Sequence, residues 1–331
     1  MTIAHKTRYP IMFGLAGVLL LVAGGPVLAR QDGKPVIGFL AFEAGGCKSE
    51  PFHRGMRELG YEDGKNMIFV CRHSEGRYER LDAAAAELAA AKPDVVVVFG
   101  HAPSQAARRA TKTIPIVMST SGEPVAMGFA QSLARPGGNI TGVSYYATEL
   151  NIKRLEYLKS IVPSLKRLGV LLHSGLPQDL AGAYLRDSEA AGKAMGFSVH
   201  VVKYSTLEEI DGAFAEMKKL AVQGVLIAPA REVKAETQRL AELGLQYRLP
   251  VVHSRKSFPP VGGLMSYGPD YAVLYHRTAF YVDRVLKGAK PAGLPIEQPA
   301  RFELHINLGT AKALGLKVPD TLRLRADKVI E

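Results

Sequence analysis

The chain has 331 residues, 47% hydrophobic and 22% charged, with 33 Gly, 20 Pro, 2 Cys and no Trp. That balance excludes intrinsic disorder and collagen-like repeats, and a chain of this length buries enough surface for two cores. Its formal charge is +11, but Lys and Arg are scattered among Asp and Glu, so they do not form the basic block that nucleic-acid binding uses.

Lys6 and Arg8 precede an apolar run from Ile11 to Ala23, Gly24-Gly25-Pro26 break it, and Val27-Leu28-Ala29 lead to Arg30. This is the order of a secretory leader cleaved after Ala29. The run is well short of the ~20 residues that span a bilayer. No Cys stands where a lipid would be attached, so the expected product is soluble and periplasmic; a monomer is expected.

From Val36 onward, apolar runs alternate with helical segments. Val36-Leu40, Met67-Val70, Val95-Phe99, Ile114-Met118 and Ile140-Ser144 are continuous and bounded by Gly, Pro, Asn or Asp, which is the pattern of buried parallel strands. Between the first two, Phe52, Met56 and Leu59 recur at helical spacing, and Gly60 stands at the helix C-terminus. Leu81 to Ala91 reads as an Ala-rich helix stopped by Pro93, which makes this stretch a doubly wound α/β half. The pattern then restarts. Strands at Leu168-Leu172, Val199-Val202, Val225-Ala228 and Val251-His253 alternate with helices from Gln178 to Met195, Leu207 to Leu220 and Val233 to Tyr247. Two Rossmann-like lobes joined by a hinge around Tyr146 to Asn151 are expected. A helix from Asp270 to Leu286, a Pro-rich stretch, a strand Phe302-Ile306 and a helix from Leu308 must pack back onto the lobes. The expected division is a leader at 1–29, an N-terminal lobe of 30–148 plus about 268–300, and a C-terminal lobe of 149–267 plus about 301–331.

No glycine loop for phosphate, nucleophile elbow or zinc-binding helix pattern occurs, so no cofactor, metal or catalytic residue is nominated. Cys47 follows the first strand and Cys71 ends the second, and neighbouring parallel strands bring those ends together. In an oxidising compartment a disulfide is expected. Ligands of open α/β sheets bind outside the carboxyl ends of the strands. Those ends carry Phe42, Glu43, His101, Ser119, Ser121, Glu123, Tyr145, Tyr146, His173, Ser174 and Ser254. Tyr267 and Asp270 are expected on the C-terminal rim of the same cleft, Asp270 also as a helix cap.

Gly262 to Asp270 (GGLMSYGPD), Tyr281 to Pro295 (YVDRVLKGAKPAGLP), Phe302 to Pro319 and the closing LRADKVIE closely resemble the substrate-binding proteins of ABC transporters, a family that includes tryptophan-binding receptors. Glu58 to Asn66, Ala85 to Val97 and Ser132 to Gly142 extend the similarity over nearly the whole mature chain. The resemblance implies a type I periplasmic-binding-protein fold with three crossovers, closing on a small molecule for delivery to an inner-membrane ABC permease. The expected ligand is amino-acid-like or an aromatic carboxylate. Members of that family often have Ser-Asp-Pro where this chain has Ser121-Gly122-Glu123-Pro124. Two alternatives share the scaffold: a sensory ligand-binding protein for a membrane receptor, and an exported hydrolase using His101 or His173 with a nearby Ser.

The leader makes a direct prediction. N-terminal sequencing of the periplasmic protein should begin at Arg30, and a membrane-bound product that keeps Met1 would overturn the reading.

Overall fold

Val36–Ala41 (β1) is buried at every position, so helices must cover both of its faces. The first half is built around that requirement. In chain order follow a 3-10 turn at Ala44–Lys48, α1 (Glu50–Glu58), β2 (Ile68–His73), α2 (Leu81–Ala90), β3 (Val95–Phe99), α3 (His101–Ala110), β4 (Ile116–Thr120) and β5 (Ile140–Ser144). The computed structural model describes residues 33–120, 123–145, 147–228, 234–299 and 301–331. The leader and its cleavage point lie outside these residues, as do Ser121 and Tyr146.

The strands form a parallel sheet in the order β2-β1-β3-β4-β5. Leu40, Val96, Val98, Ile116 and Met118 pack with Leu81, Ala85 and Leu88 of α2 and Ala107 of α3. Ile37, Phe39, Val95, Val97 and Val117 point the other way, toward Phe52 and Met56 of α1. Double coverage is why these strands read as unbroken apolar runs. α1 closes with Gly60 at φ +87°, where the Gly60 N–H donates to the Arg57 carbonyl and the Tyr61 N–H to that of Met56, each at 2.9 Å. Leu59, expected on the apolar face of α1, is exposed because it occupies the cap.

The second half contains α4 (Ala147–Ile161), β6 (Arg167–His173), α5 (Gln178–Met195), β7 (Ser198–Tyr204), α6 (Glu209–Lys219), β8 (Gly224–Ile227), α7 (Lys234–Gln246), β9 (Val251–His253) and β10 (Met265–Pro269). The chain ends with α8 (Tyr271–Leu286), β11 (Phe302–Asn307), α9 (Leu308–Ala313), α10 (Asp320–Arg325) and β12 (Lys328–Ile330). A seven-stranded sheet results, in the order β12-β11-β10-β9-β8-β6-β7, with β11 antiparallel to β10. Strands β7-β6-β8-β9-β10 thus repeat the order of the first sheet. Val170, Leu172, Leu226 and Val252 pack with Leu155 and Leu158 of α4 and Tyr184 of α5. Leu171, Val225, Ile227 and Val251 face Phe214 and Met217 of α6 and Leu240 and Leu243 of α7. Among the described residues no helix is long and apolar enough to cross a membrane.

The chain passes from the first sheet to the second after β5, returns between β10 and α8, and passes over again before β11. Leu274, Val282 and Val285 place α8 on the first sheet, in the cluster of Phe39 and Phe52. Beside β5, the Glu297 N–H donates to the Gly142 carbonyl (3.0 Å) and the Ser144 N–H to that of Glu297 (2.8 Å). The Glu297 carboxylate accepts two bonds from Arg277 of α8, at 2.8 and 2.6 Å. Gly142 has φ +130°, and a side chain there would strike the Met118 carbonyl of β4.

Several elements differ from the sequence expectation. β2 runs to His73 because it pairs with β1 along its whole length, from Val36 with Ile68 to Ala41 with His73. As an edge strand it tolerates Arg72 and His73, which end no apolar run. The expected hinge at Tyr146 to Asn151 is too wide: from Ala147 the chain is α4, and Leu150 and Asn151 are buried. α3 escaped the periodicity because it buries Ala106, Ala107, Ser104 and Pro103 rather than large apolar residues. β12 and α10 were not anticipated either. They are short, and Leu324 on α10 faces solvent.

Candidate ligand-binding site

In a parallel sheet of this order, the connections leaving the central strands go to opposite faces, and a crevice opens where the order reverses. The reversal lies between β1 and β3 in the first sheet and between β6 and β8 in the second. The two crevices share one cleft of about 560 Å³. The first sheet contributes Phe42, Glu43, His101, Ser119 and Tyr145, and the second contributes Leu176, Pro177, Ser254 and Arg255. Tyr271 and Tyr275, one turn apart on α8, complete the wall.

The cleft is dominated by rings that are packed on one another. Phe99 stacks on Tyr275 with centroids 4.0 Å apart, Tyr145 meets Tyr271 edge-on at 5.5 Å, and Phe42 lies 4.4 Å from Tyr78. Rings fixed in this way offer a flat solute large apolar faces at little cost in side-chain entropy. Burial, reinforced by the neighbouring Tyr271 hydroxyl, pushes the Tyr145 phenol well above its ordinary range, so it stays a neutral group.

The charged groups are sparse. The Arg255 guanidinium lies 4.1 Å above the Tyr271 ring. Its backbone N–H donates to His253 Nδ1 at 3.0 Å, a bond that requires an unprotonated nitrogen. Burial, with Arg255 and Arg154 nearby, pushes His253 down to about 3. α3 and α5 both start at the cleft, and Gly100 and Pro177 at their N-caps provide no side-chain cap. First-turn N–H groups in that setting favour an anionic partner. Ser49 Oγ, Ser119 Oγ and His101 Nδ1 belong to cleft-lining residues and are buried without a hydrogen-bond partner among the described residues.

Hydrogen bonds also tie the two walls together. His101 Nε2 donates to Asp179 Oδ2 of α5 at 3.2 Å, and Gln105 Nε2 donates to the same oxygen at 2.7 Å. Burial lowers the His101 pKa against the pull of Asp179. Burial also opposes ionisation of Asp179, but His101, the Leu180 N–H and Gln105 outweigh it and hold the carboxyl below its usual range. With Nε2 held by Asp179, His101 has Nδ1 as its unprotonated nitrogen, and among the described residues no serine is bonded to it.

Of the residues anticipated from the sequence, Phe42, Glu43, His101, Ser119, Ser254 and Tyr145 line the cleft. Ser121 and Tyr146 lie outside the described residues. Tyr267 does not line it. On β10 it shares the side of Met265, and its ring packs on Tyr157 (5.3 Å) and Phe302 (6.1 Å) in the core of the second sheet. Asp270 does not line the cleft either, although Tyr271 and Ala272 beside it do. One carboxylate oxygen caps α8 through the Ala272 N–H (2.9 Å) and the other accepts from Lys256 (2.6 Å). His173 holds its own loop by accepting the Gly175 N–H (3.0 Å), and Ser174 donates its N–H to Tyr204 (2.7 Å), so Leu176 and Pro177 occupy that part of the wall instead. Glu123 is raised in pKa by burial and then by Glu149 and Asp187, and it does not line the cleft. The disulfide joins Cys47 to Cys71. Sequence reasoning missed Arg255, Tyr271 and Tyr275. The two tyrosines stand four residues apart just after the Asp270 cap, a spacing that puts them on one face of a first helical turn.

The chain matches the ABC transporter substrate binding protein family over residues 36–330. It is similar to the tyrosine-binding protein of Clostridioides difficile (strain R20291), at 27% identity over 281 residues, 84% of this chain and 78% of that protein. Its structure is similar to that of an ABC domain from Streptococcus pneumonia in complex with L-Trp, at 26% identity and a TM-score of 0.79, covering 90% of this chain and 100% of the other. A conserved domain protein from Vibrio cholerae shares the fold with a TM-score of 0.79 at 23% identity, over 89% and 99% of the two chains.

The depressed His253 predicts an acid sensitivity. In the unfolded chain His253 takes up a proton near its ordinary 6.5, whereas in the folded protein it does so only near 3, so stability falls as pH drops through that window. One such group contributes a slope of at most ~1.4 kcal/mol per pH unit, and His101 adds in the same direction. Urea unfolding of His253→Gln across this range should show a shallower slope than the parent; equal slopes would mean that His253 is not the group responsible.

Proposed function

Because the chain belongs to the family of ABC transporter substrate binding proteins, which bind solutes and are not enzymes, we propose that it captures an aromatic amino acid between two closing lobes and delivers it to an inner-membrane permease. The lobes are residues 30–148 plus about 268–300 and residues 149–267 plus about 301–331. In this reading the protein acts as a periplasmic monomer after cleavage of its leader at Ala29.

The observation that carries the proposal is a ring-lined cleft placed between two uncapped helix N-termini and Arg255. Its 560 Å³ suits a small ligand. Phe99, Tyr275 and Tyr271 offer ring faces, Arg255 and the starts of α3 and α5 complement a carboxylate, and Glu43 is the acid that lines the cleft for an ammonium group. The two relatives named for tyrosine and solved with L-Trp support the same class.

Calorimetry with L-tryptophan, L-tyrosine, L-phenylalanine and their deaminated acids tests this reading. Binding of at least one is expected, with Arg255→Ala weakening it by ~1.5–3 kcal/mol through loss of a charged hydrogen bond. Tyr275→Ala should cost a comparable ~1–3 kcal/mol. No heat with any of these solutes, or affinity that survives both substitutions in variants that remain folded, would contradict it.

A further inference from the structure

Cys47 and Cys71 are bridged, with their Cα atoms 6.0 Å apart. Cys47 sits in the Ala44–Lys48 turn, and on either side of it Glu43, Gly46 and Ser49 line the cleft. Cys71 is on β2, the outer strand of the first sheet, paired in register with Phe39. The bond therefore ties a wall of the cleft to the far edge of the sheet. Locally that wall is held by the Gly46 N–H donating to the Glu43 carbonyl (2.9 Å) and by His53 Nε2 donating to the Cys47 carbonyl (2.7 Å). Neither Glu43 nor Ser49 provides a side-chain cap to the short helices they precede. Beneath the turn, Cys47 shares a buried cluster with Phe39, which meets Phe99 edge-on at 4.9 Å. Phe99 in turn stacks on Tyr275. The bridge thus lies at one end of a packed line of rings, Phe39, Phe99 and Tyr275, that itself lines the cleft.

We propose that the Cys47–Cys71 disulfide positions the 43–49 wall for ligand, and that its reduction lowers affinity while both sheets stay folded. The proposal rests on the cleft being the ligand site. A cross-link stabilises the whole molecule by restricting the unfolded chain. Placement of the wall acts only at the cleft, so the two effects separate. In the reduction, a dithiol attacks one sulfur and then closes on itself. It gives up two electrons and two protons, Cys47 and Cys71 become thiols, and the dithiol becomes its cyclic disulfide. The released wall samples other positions, and only the fraction in the original one binds.

The test compares the oxidised protein, the same protein reduced with dithiothreitol and then reoxidised, and the Cys47→Ser, Cys71→Ser double variant. Calorimetry with L-tryptophan and with L-tyrosine should show affinity about tenfold weaker in the reduced protein and in the double variant, recovering on reoxidation. Hydrogen exchange should quicken at amides 43–49 and stay slow in β1, β3 and β4. Unchanged affinity with only a lower thermal midpoint, or faster exchange spread through the whole sheet, would make the bridge purely a stabilising one and overturn the proposal. If the oxidised protein binds neither amino acid, the aromatic amino-acid reading fails by itself, and the exchange at 43–49 decides the positioning claim.

Discussion

A strand buried on both faces has only its ends left to present to anything else, and in this protein that constraint shapes the molecule. β1 and β6 are each flanked by strands and covered by helices on both sides, so their side chains are committed to packing. Right-handed connections then carry the chain away to opposite faces on the two sides of each, and the carboxyl ends open into a crevice. Because both halves repeat the same strand order, two crevices exist, and three passages of the chain at the β5, β10 and Glu297 edge bring them to a common cleft. The Arg277–Glu297 pair and the Gly142 backbone fasten that edge.

The walls of the cleft differ in how they are held. The rings of the first wall are seated on its hydrophobic cluster, whereas the hydrogen bonds described across the cleft are those of His101 and Gln105 on α3 to one carboxylate oxygen of Asp179 on α5, beside ring contacts of Arg255 with Tyr271 and of Tyr78 with His173. A half-exposed carboxylate bonded to a neutral imidazole and an amide is worth little alone. In the proposed reading, contacts of this kind leave the closing of the lobes to the solute. A solute that touches both walls adds its differential affinity to the closed arrangement and shifts the population toward it.

The architecture was legible because parallel strands covered on both sides announce themselves as short apolar runs, and Val95–Phe99 or Val251–His253 needed no further information. α3 was hidden, since small residues bury well without any contrast in hydropathy. The cleft was partly legible. Phe42, His101, Ser119 and Ser254 follow strand ends, where topology alone places ligand-facing groups. Tyr267 was misread because the side a strand residue faces depends on register, and the register of β10 between β9 and β11 is not visible in its sequence. Arg255 was missed for a related reason: its place over Tyr271 depends on how α8 of the C-terminal region returns to the first sheet. The Cys47–Cys71 pairing was readable, because neighbouring parallel strands leave their carboxyl ends side by side.

The chain contains no tryptophan, so in a mixture with L-tryptophan the indole emission belongs to the solute alone. Titrating L-tryptophan with the protein while following that emission therefore reads the solute's surroundings directly. The account predicts a blue shift as the indole leaves water for the Phe99, Tyr275 and Tyr271 rings, with the shift lost in an Arg255→Ala, Tyr275→Ala double variant that remains folded. An emission that stays at its position in water when L-tyrosine and L-phenylalanine also give no binding heat, or a shift that persists in the double variant, would contradict the claim that this cleft takes an aromatic amino acid.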